Sequence, residues 1–204
     1  MQAVTIAIDA LQGDADFRPL ASIADLQVDL RYAGRNNLLG RDLYAPHDCA
    51  WLHVQAADAL ALTVQWLARE RPELRLRVLD AARPQRVQEL FWAHVSGTPM
   101  QDYFAPPDRG SIHSYGMAVD LTLADVQGRE IDMGTPFDDT SELSHPALEH
   151  RHGAGGRLSQ NQLAHRRLLR TAMLHTGWQG INTEWWHFDC GDRSEVRRCF
   201  RRIV

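Results

Sequence analysis

The residues of this sequence that could do chemistry lie in two short segments. The first reads Ser111-Ile-His-Ser-Tyr-Gly-Met-Ala-Val-Asp120 and contains an imidazole, His113, and a carboxylate, Asp120. A neutral imidazole and a hard anion are two of the three protein ligands that a catalytic zinc usually takes. Gly116 allows a tight turn between them. Asp120 also lies in a run of apolar residues, where a carboxylate needs a cation, a metal or strong hydrogen-bond donors.

The second segment, Glu184-Trp-Trp-His-Phe-Asp189, contains an imidazole and two carboxylates. His187 would complete a set of two imidazoles and one carboxylate, with water as the fourth ligand. Glu184, three residues earlier, would then accept the proton of that water. Residues three apart point to opposite faces of an ideal strand. If both side chains face one metal, we expect the backbone to bend or to leave the sheet between them.

Each of these residues also has a purely structural interpretation. His113 could be a hydrogen-bonded loop histidine, and Asp120 could be a capping or ion-paired carboxylate. The second segment could be an aromatic core strand with a glutamate at its edge. Because the first segment already needs another ligand, the two segments together favour a metal site more strongly than either does alone.

The basic residues and the cysteines of the chain limit its chemistry. All 22 basic residues are arginine, and the sequence contains no lysine. This excludes a P-loop lysine, a Schiff-base lysine and a Ser-Lys dyad. The sequence also lacks the GxSxG, GxGxxG and HExxH patterns of serine hydrolases, dinucleotide-binding proteins and zincins. Cys49, Cys190 and Cys199 have no CxxC spacing, which excludes a disulfide framework and a four-cysteine zinc site.

The charge and hydropathy of the chain limit its partners. The net charge of −4 argues against general nucleic-acid binding. The basic run at Arg166, Arg167 and Arg170 is interpreted as a solvated helix face. No apolar run approaches the ~20 residues of a membrane helix, and Met1 to Gln12 lacks the basic start of a signal peptide. We expect a cytoplasmic protein without membrane or nucleic-acid partners, and the sequence leaves a homo-oligomer open.

The elements that must position these residues are predicted from periodicity and composition. The length of 204 residues suits one compact domain, residues 1–204. Alternating or continuous apolar residues predict strands over 28–32, 74–79, 117–123 and 183–189. Composition and proline positions predict helices over 52–69 and 84–95.

The second half of the chain contains longer irregular stretches. Prolines and glycines predict loops over 99–110 and 135–156. Ser159 followed by Gln162 resembles a capping box and predicts a helix that ends at Gly177. Strands and helices are interspersed without regular βαβ spacing, so we expect an α+β fold with a mostly antiparallel sheet flanked by helices.

The two chemical segments together resemble the zinc peptidase family of D-alanyl-D-alanine dipeptidases, which is related to the D,D-carboxypeptidases of peptidoglycan. The shared pattern is Ser-x-His-x-x-Gly-x-Ala-x-Asp, followed later by Glu-x-x-His. Its positions here are Ser111, His113, Gly116, Ala118, Asp120, Glu184 and His187. Further segments similar to the family are Asp80-Ala-Ala-Arg83-Pro84, Met133-Gly-Thr-Pro-Phe-Asp138, and Arg31-Tyr32 with Asn36-Asn-Leu-Leu-Gly40. The resemblance covers most of residues 29–189.

The resemblance implies a zinc-dependent hydrolase that cleaves D-Ala-D-Ala, or a closely related D,D- or L,D-dipeptide, in a zinc cleft. It implies one Zn2+ per chain, held by His113, Asp120 and His187. Glu184 would act as general base and then as general acid, and Arg83 would lie near the developing oxyanion. The residues implied in substrate binding are Ser111, Asp138 and Tyr32.

Some of these roles, and the activity itself, have alternatives. Arg83 could form a structural salt bridge at a helix start, and Asp138 could be a solvated loop carboxylate. The same zinc site could serve a D,D-carboxypeptidase or a peptidoglycan endopeptidase, and a chain without catalysis could be a cell-wall-fragment binding module. Asp138 favours the dipeptidase, because a free dipeptide carries an ammonium group that calls for an anion. Glu184 argues against the binding module, since binding alone would not need it.

Overall fold

The elements of the fold are taken from a computed structural model of the chain, which describes residues 4–98, 101 and 105–204. The strands are β1 (Thr5–Ile6), β2 (Phe17–Pro19), β3 (Gln27–Val28), β4 (Trp51–His53), β5 (Leu74–Asp80), β6 (Ala118–Asp125), β7 (Trp178–Gly180), β8 (His187–Cys190) and β9 (Arg202–Ile203). The α-helices are α1 (Val54–Glu70), α2 (Gln85–Val95), α3 (Glu149–Ala154), α4 (Gln160–His175) and α5 (Arg193–Cys199). Short 3-10 turns join several of these elements.

The central sheet has five strands in the order β3-β5-β6-β8-β7. Strands β3 and β5 run parallel, and the other neighbouring pairs of this sheet are antiparallel. Two short pairs lie outside it: β2 with β4, antiparallel, and β1 with β9, parallel. The fold is therefore α+β with a mostly antiparallel sheet, as the sequence predicts.

Strand β5 forms because its apolar side chains alternate with the period of a strand. Leu74, Leu76 and Val78 are buried, whereas Arg75 and Arg77 between them are half-buried. Successive side chains of a strand point to opposite faces, so the three apolar residues share the face that meets the core.

Helix α1 shows the corresponding helical period. Leu60, Val64 and Leu67 are buried at spacings of four and three residues, so they form one apolar stripe. In the main core this stripe packs with residues of β5 and β6, and Leu169 and Met173 of α4 join the same cluster. Helices α1 and α4 therefore pack against the central sheet.

The strongest sequence signals are confirmed. Helices α1 and α2 and strands β5 and β6 begin and end within two residues of their predicted bounds. Helix α4 begins at the predicted capping box: the Gln162 backbone donates to Ser159 Oγ at 3.2 Å, and the Ser159 backbone donates to Gln162 Oε1 at 2.8 Å. None of the helices in the described part of the chain combines the length and the apolarity that crossing a membrane requires.

The predicted strand over 28–32 is wrong for most of its length. Strand β3 ends at Val28, and Arg31–Ala33 form a 3-10 turn. Tyr32 is buried in this turn, and its ring packs edge-on against that of Phe91, with 4.9 Å between centroids. Packing of this aromatic side chain therefore overrides its preference for strands.

Two other predicted stretches are wrong in part. The strand expected over 183–189 begins only at His187, because the backbone bends before it. The stretch 135–156 is not a continuous loop, since it contains 3-10 turns and ends in α3. One of these turns begins at Pro146, whose fixed φ suits a first helical position. Part of the loop expected over 99–110 lies outside the described residues.

Candidate active site

Three ionisable side chains lie in a single row across the central sheet. Asp80 of β5 is the register partner of Asp120 on β6, and Asp120 is the register partner of His187 on β8. A register shift between Val78 and Asp80, of the kind a β-bulge produces, brings Asp80 opposite Asp120. Directly opposite residues of antiparallel strands have neighbouring side chains on one face, so the row gathers three polar groups at one place.

His113 reaches the same place from a 3-10 turn, Ile112–Tyr115, that precedes β6. The turn ends at Gly116, whose φ of 65° lies in the left-handed region that favours glycine. A Cβ at Gly116 would lie 2.8 Å from the backbone nitrogen of His53, so this close approach also requires glycine. His113 Nδ1 donates to Ala81 O at 2.9 Å, which holds the ring and leaves Nε2 facing the row.

The facing atoms of His113, Asp120 and His187 form a compact triangle. His113 Nε2 lies 3.2 Å from His187 Nδ1 and 3.3 Å from Asp120 Oδ1, and His187 Nδ1 lies 2.9 Å from Asp120 Oδ1. Tetrahedral zinc with ligand bonds of about 2.0–2.2 Å separates its ligand atoms by roughly 3.3–3.6 Å. The measured spacings come close to these values, and two imidazoles with one carboxylate are a donor set that zinc accepts, so the residues fit this ion.

The outer nitrogen of His187 is also held. His187 Nε2 lies 2.9 Å from Asp189 Oδ1, and Arg193 donates to Asp189 Oδ2 from Nη2 at 2.5 Å and from Nε at 2.6 Å. Burial alone would raise the pKa of Asp189, but His187 and Arg193 lower it to about 2. Such a carboxylate behind an imidazole fixes the orientation of the ring and makes it a more basic ligand.

Glu184 stands beside the triangle, in the loop before β8. The backbone therefore leaves the sheet between Glu184 and His187, as the sequence requires if both face one metal. Glu184 Oε2 lies 4.0 Å from His187 Nδ1, and 19% of the Glu184 side chain is exposed. Burial raises the pKa of Glu184 to about 7; the charge of His187 opposes this rise and that of Asp120 adds to it. A carboxyl group of this kind can both accept and donate a proton near neutral pH.

Arg83 is buried next to the triangle and is held by two carboxylates. Its Nε and Nη2 donate to Asp80 Oδ2 at 2.9 and 2.6 Å, and Nη2 lies 3.4 Å from Asp120 Oδ2. The guanidinium carbon lies 5.2 and 5.3 Å from the ring centroids of Tyr32 and Phe91. Burial opposes its charge, but Asp80 raises the pKa of Arg83 above its ordinary range. The salt bridge that the sequence offers as one interpretation is therefore present, at a residue that also lines the central cavity.

Asp138 adopts a positive φ of 63° in the loop between β6 and α3. Tyr32 Oη donates to Asp138 Oδ1 at 2.7 Å, and the backbone nitrogen of Leu38 donates to Asp138 Oδ2 at 3.3 Å. Burial raises the pKa of Asp138 to about 6, although the hydrogen bond from Tyr32 lowers it. Asp138 is therefore a fixed carboxylate at the cavity wall rather than a solvated loop residue.

Arg166 of α4 holds the loop that carries Asp138. Its buried guanidinium donates to Met133 O at 2.6 Å, to Leu143 O at 2.8 Å and to Thr135 Oγ1 at 3.3 Å. Both ends of the loop are thus fixed to one helix. The interpretation of Arg166 as part of a solvated helix face is wrong, because this side chain satisfies carbonyl groups that the loop would otherwise bury without donors.

Sequence reasoning assigned no role in the site to Asp80, Asp189 or Arg166. A signal was present for Arg166, which stands three and seven residues before Leu169 and Met173 and so lies on the apolar stripe of α4. Asp189 stands two residues after the histidine of β8, and so on the same side of that strand. Asp80 ends an apolar strand, where a carboxylate needs a cationic partner.

One cavity joins these groups. Its volume of about 330 Å³ lies at the lower end of the range for small-molecule sites. The cavity is lined by all eight residues that the sequence and its resemblance point to: Tyr32, Arg83, Ser111, His113, Asp120, Asp138, Glu184 and His187. It brings the triangle of possible metal ligands, the Glu184 carboxyl group, a fixed guanidinium and the Asp138 carboxylate to one small space. These are the kinds of groups that hydrolysis of a small polar molecule requires.

The known proteins that this chain resembles are peptidases. The family model Peptidase_M15, described as D-ala-D-ala dipeptidase, matches residues 14–204. A D-alanyl-D-alanine dipeptidase of Escherichia coli is 36% identical over 165 residues, which are 81% of this chain and 79% of the relative. A protein of the same name from Enterococcus faecium is 35% identical over 113 residues, 53% of this chain and 51% of the relative. One from Synechocystis is 29% identical over 157 residues, 62% of this chain and 64% of the relative.

The fold, the cavity and these relatives define the class of the protein, which is a peptidase. More narrowly, the chain belongs to the D-Ala-D-Ala dipeptidase family. The resemblance inferred from the two sequence segments is therefore confirmed, and the matched range contains all the residues that line the site.

Proposed function

We propose that this protein hydrolyses D-Ala-D-Ala, or a closely related D,D- or L,D-dipeptide, at one Zn2+ held by His113, Asp120 and His187. The observation that carries the proposal is the triangle of ligand atoms 2.9–3.3 Å apart, with Glu184 Oε2 4.0 Å from one corner. We also propose that residues 1–204 act as a single domain with this one site.

The two imidazoles are oriented to act as neutral ligands. The hydrogen bonds of His113 Nδ1 with Ala81 O and of His187 Nε2 with Asp189 leave one nitrogen of each ring for the triangle. Asp120 adds a negative charge that partly balances a dication. When bound, zinc would polarise a carbonyl oxygen and make water a stronger acid.

Glu184 is the residue that moves the proton. Its carboxylate takes a proton from water as the water oxygen bonds to the scissile carbonyl carbon. It then gives that proton to the leaving amine as the C–N bond breaks, so that two free amino acids result. The loop before β8 places Glu184 beside the triangle instead of within it, which keeps its carboxylate available for this work.

Arg83 stabilises the negative charge that develops on the carbonyl oxygen. Its Nε and Nη2 are committed to Asp80, whereas its Nη1 meets only the amide oxygen of Gln88, at 3.3 Å, among the described residues. We therefore assign Nη1 to the oxyanion. A guanidinium fixed in advance beside a developing charge needs no reorganisation during the reaction.

Asp138, with Tyr32 and the hydroxyl of Ser111, receives the free amino end of the dipeptide. A fixed carboxylate on the wall of a small cavity recognises an ammonium group, and a peptide with an acylated amino end has no such charge to offer. This difference favours the dipeptidase over a D,D-carboxypeptidase on the same zinc site. Free D-Ala-D-Ala is formed inside cells, so we propose the cytoplasm as the place of action.

The proposal is tested with a panel of L,L-, L,D-, D,L- and D,D-dipeptides. The purified protein is assayed after loading with zinc and after treatment with a chelator, and its metal content is measured by elemental analysis. We expect hydrolysis of D-Ala-D-Ala by the zinc-loaded protein, loss of activity on chelation and recovery on adding zinc back. Hydrolysis that is unaffected by metal removal, or none with any D,D-dipeptide, would contradict the proposal.

Glu184→Gln provides the matched control, because it preserves size and removes the base. This variant should keep its zinc and lose about 10²–10⁴-fold in kcat. N-acetyl-D-Ala-D-Ala separates the alternatives. Faster cleavage of this acylated substrate than of the free dipeptide would indicate a carboxypeptidase, and retained zinc without hydrolysis of any substrate would indicate a binding module.

A further inference from the structure

Three guanidinium groups line the active-site cavity in addition to Arg83. They belong to Arg109, Arg193 and Arg197, which we call the arginine cluster. Arg193 and Arg197 lie on α5, one turn apart, and Arg109 lies in the loop that leads to Ser111. The proposed chemistry of the site uses none of the three as a contact to substrate.

Hydrogen bonds tie two members of the arginine cluster, Arg193 and Arg197, to the walls of the cavity. Arg197 Nε and Nη2 both donate to Gly110 O, each at 3.2 Å, which joins α5 to the loop before Ser111. Arg193 donates to Asp189 Oδ2, the carboxylate behind the ligand imidazole of β8. Arg193 and Arg197 are thus fixed parts of the cavity, and Arg193 lies on the side of the outer nitrogen of that imidazole.

The arginine cluster holds more positive charge than its surroundings balance. Among the residues that the structure describes, Arg197 and Arg109 form no ion pair within 4 Å with a carboxylate, and the carboxylate that pairs with Arg193 also faces His187. Burial lowers the pKa of Arg197, and so do the charges of Arg109 and Arg193. Like charges that converge on one part of a cavity attract an anion to it.

The cavity carries charge of the opposite sign elsewhere. The charged side chains that act most strongly on Asp138 are Asp120 and Arg83, whereas those that act on Arg197 are Arg109, Arg193 and Asp189. Asp138 and the arginine cluster therefore occupy different parts of one cavity of about 330 Å³. Such a distribution is complementary to a small zwitterion with an ammonium group at one end and a carboxylate at the other.

We propose that the arginine cluster binds the terminal carboxylate of the dipeptide substrate. Arg197 and Arg109 contact the carboxylate, and Arg193 contributes charge while it stays paired with Asp189. Arginine suits this task because its planar fork can make two parallel hydrogen bonds to one carboxylate. This inference rests on the proposed dipeptidase activity. It adds the group that recognises the carboxyl end of the substrate.

The test measures binding in the Glu184→Gln background, where substrate is not consumed. Isothermal titration calorimetry compares D-Ala-D-Ala with D-alanyl-D-alaninamide, which has the same shape without the terminal charge. Arg197→Gln should weaken binding of D-Ala-D-Ala roughly ten- to a hundredfold, as expected for loss of a charged hydrogen-bonding partner, and should leave binding of the amide nearly unchanged. Arg109→Gln should act in the same direction.

Arg198→Gln is the matched control. Arg198 is the next residue of α5, is exposed and does not line the cavity, so its removal changes net charge equally without touching the site. Its affinity for both ligands should equal that of the parent. Circular dichroism of each variant verifies the fold. Loss of Arg197 could weaken binding by displacing the loop at Gly110. Arg109→Gln excludes this explanation, because it leaves the hydrogen bonds from Arg197 to Gly110 intact.

The outcomes separate this inference from the proposed function. Suppose that the unsubstituted protein hydrolyses D-Ala-D-Ala. If Arg197→Gln and Arg109→Gln then bind both ligands as tightly as the parent does, or lose affinity for both ligands equally, the arginine cluster is not the carboxylate site. If the unsubstituted protein hydrolyses no dipeptide yet binds D-Ala-D-Ala through Arg197, the proposed function fails and the inference stands. Absence of any binding to the parent overturns both.

Discussion

The two walls of the active-site cavity are built in different ways. On one wall, Asp120 and His187 are placed, together with the buried Asp80, by the register of three neighbouring strands. On the other, Asp138 lies in a loop that side-chain hydrogen bonds from Arg166 fix to α4. The strand wall is held by many backbone hydrogen bonds that no single side chain controls. The loop wall depends on a few side-chain hydrogen bonds, those of Arg166 and Tyr32 among them, so we expect it to respond to single substitutions with a change in substrate binding.

The buried arginine of each wall shows the same contrast. Arg83 on the strand wall faces two carboxylates, which raise its pKa against the effect of burial. Arg166 on the loop wall donates mainly to carbonyl oxygens, and burial lowers its pKa to about 10. Both therefore stay protonated at neutral pH. Arg83 balances charge in the site, whereas Arg166 satisfies backbone acceptors and thereby shapes the loop.

Zinc content should show the largest difference between variants of the two walls. Asp120→Ala removes one corner of the ligand triangle, so we expect zinc stoichiometry to fall and activity to drop to background. Asp138→Ala should keep full zinc and lose activity mainly through a higher KM, because its carboxylate is not part of the ligand triangle. Elemental analysis and steady-state kinetics of the two variants test the contrast, which fails if Asp138→Ala also loses its metal.

Arg83→Met should give the next largest effect. Loss of the oxyanion donor lowers kcat by about 10²–10³-fold, and Asp80 and Asp120 lose a buried cation, which costs about 3–5 kcal/mol of stability. Thermal unfolding and kcat are measured together. The double variant Asp80→Asn/Arg83→Met should regain part of the stability but not of kcat. Activity that returned with stability would reduce Arg83 to a structural salt bridge.

Arg166→Met should loosen the loop wall and leave the strand wall intact. It removes the donor of two loop carbonyls and one hydroxyl, so we expect a loss of about 1–3 kcal/mol in stability, a higher KM, a smaller change in kcat and unchanged zinc content. Arg167→Met, at the exposed neighbouring position, is the control and should match the parent. A fall in kcat with constant KM would show that Arg166 acts on the chemical step instead.

The smallest effect should appear in the pH dependence of substrate binding. Burial raises the pKa of Asp138 to about 6, so its carboxylate is charged above this pH and neutral below it. The KM for D-Ala-D-Ala should therefore rise as the pH falls through about 6, because a neutral Asp138 loses its attraction for the ammonium group. Asp138→Asn should remove this step, and a step that survives in the variant would belong to another group.

The residues of the two chemical segments could be predicted because their types and spacing carry information by themselves. The helix over 54–70 and the strand over 74–80 were also predictable, since their buried residues recur with a clear period. The long-range hydrogen bonds that hold the site in place could not be predicted. Arg166 and its acceptor Met133 lie far apart in sequence, so the hydrogen bond between them leaves no local pattern.

Aromatic residues caused the two errors in the predicted strands, for a related reason. Tyr32 and Trp185 favour strands by their intrinsic preference. In the fold, Tyr32 donates to Asp138, and Trp185 donates to Thr135 Oγ1 at 2.8 Å. These partners become neighbours only after the chain has folded, and they decide the local backbone against its intrinsic preference.

If the proposed zinc binds, the row of Asp80, Asp120 and His187 also makes its binding depend on correct strand pairing. A slip of one residue between β6 and β8 would turn one of the two ligands to the opposite face of the sheet. A misregistered chain would then fail to capture the ion, and a correctly paired chain would be stabilised by it. Zinc would thus bind and stabilise only chains whose strands are correctly paired, and every zinc-loaded molecule would have the correct register.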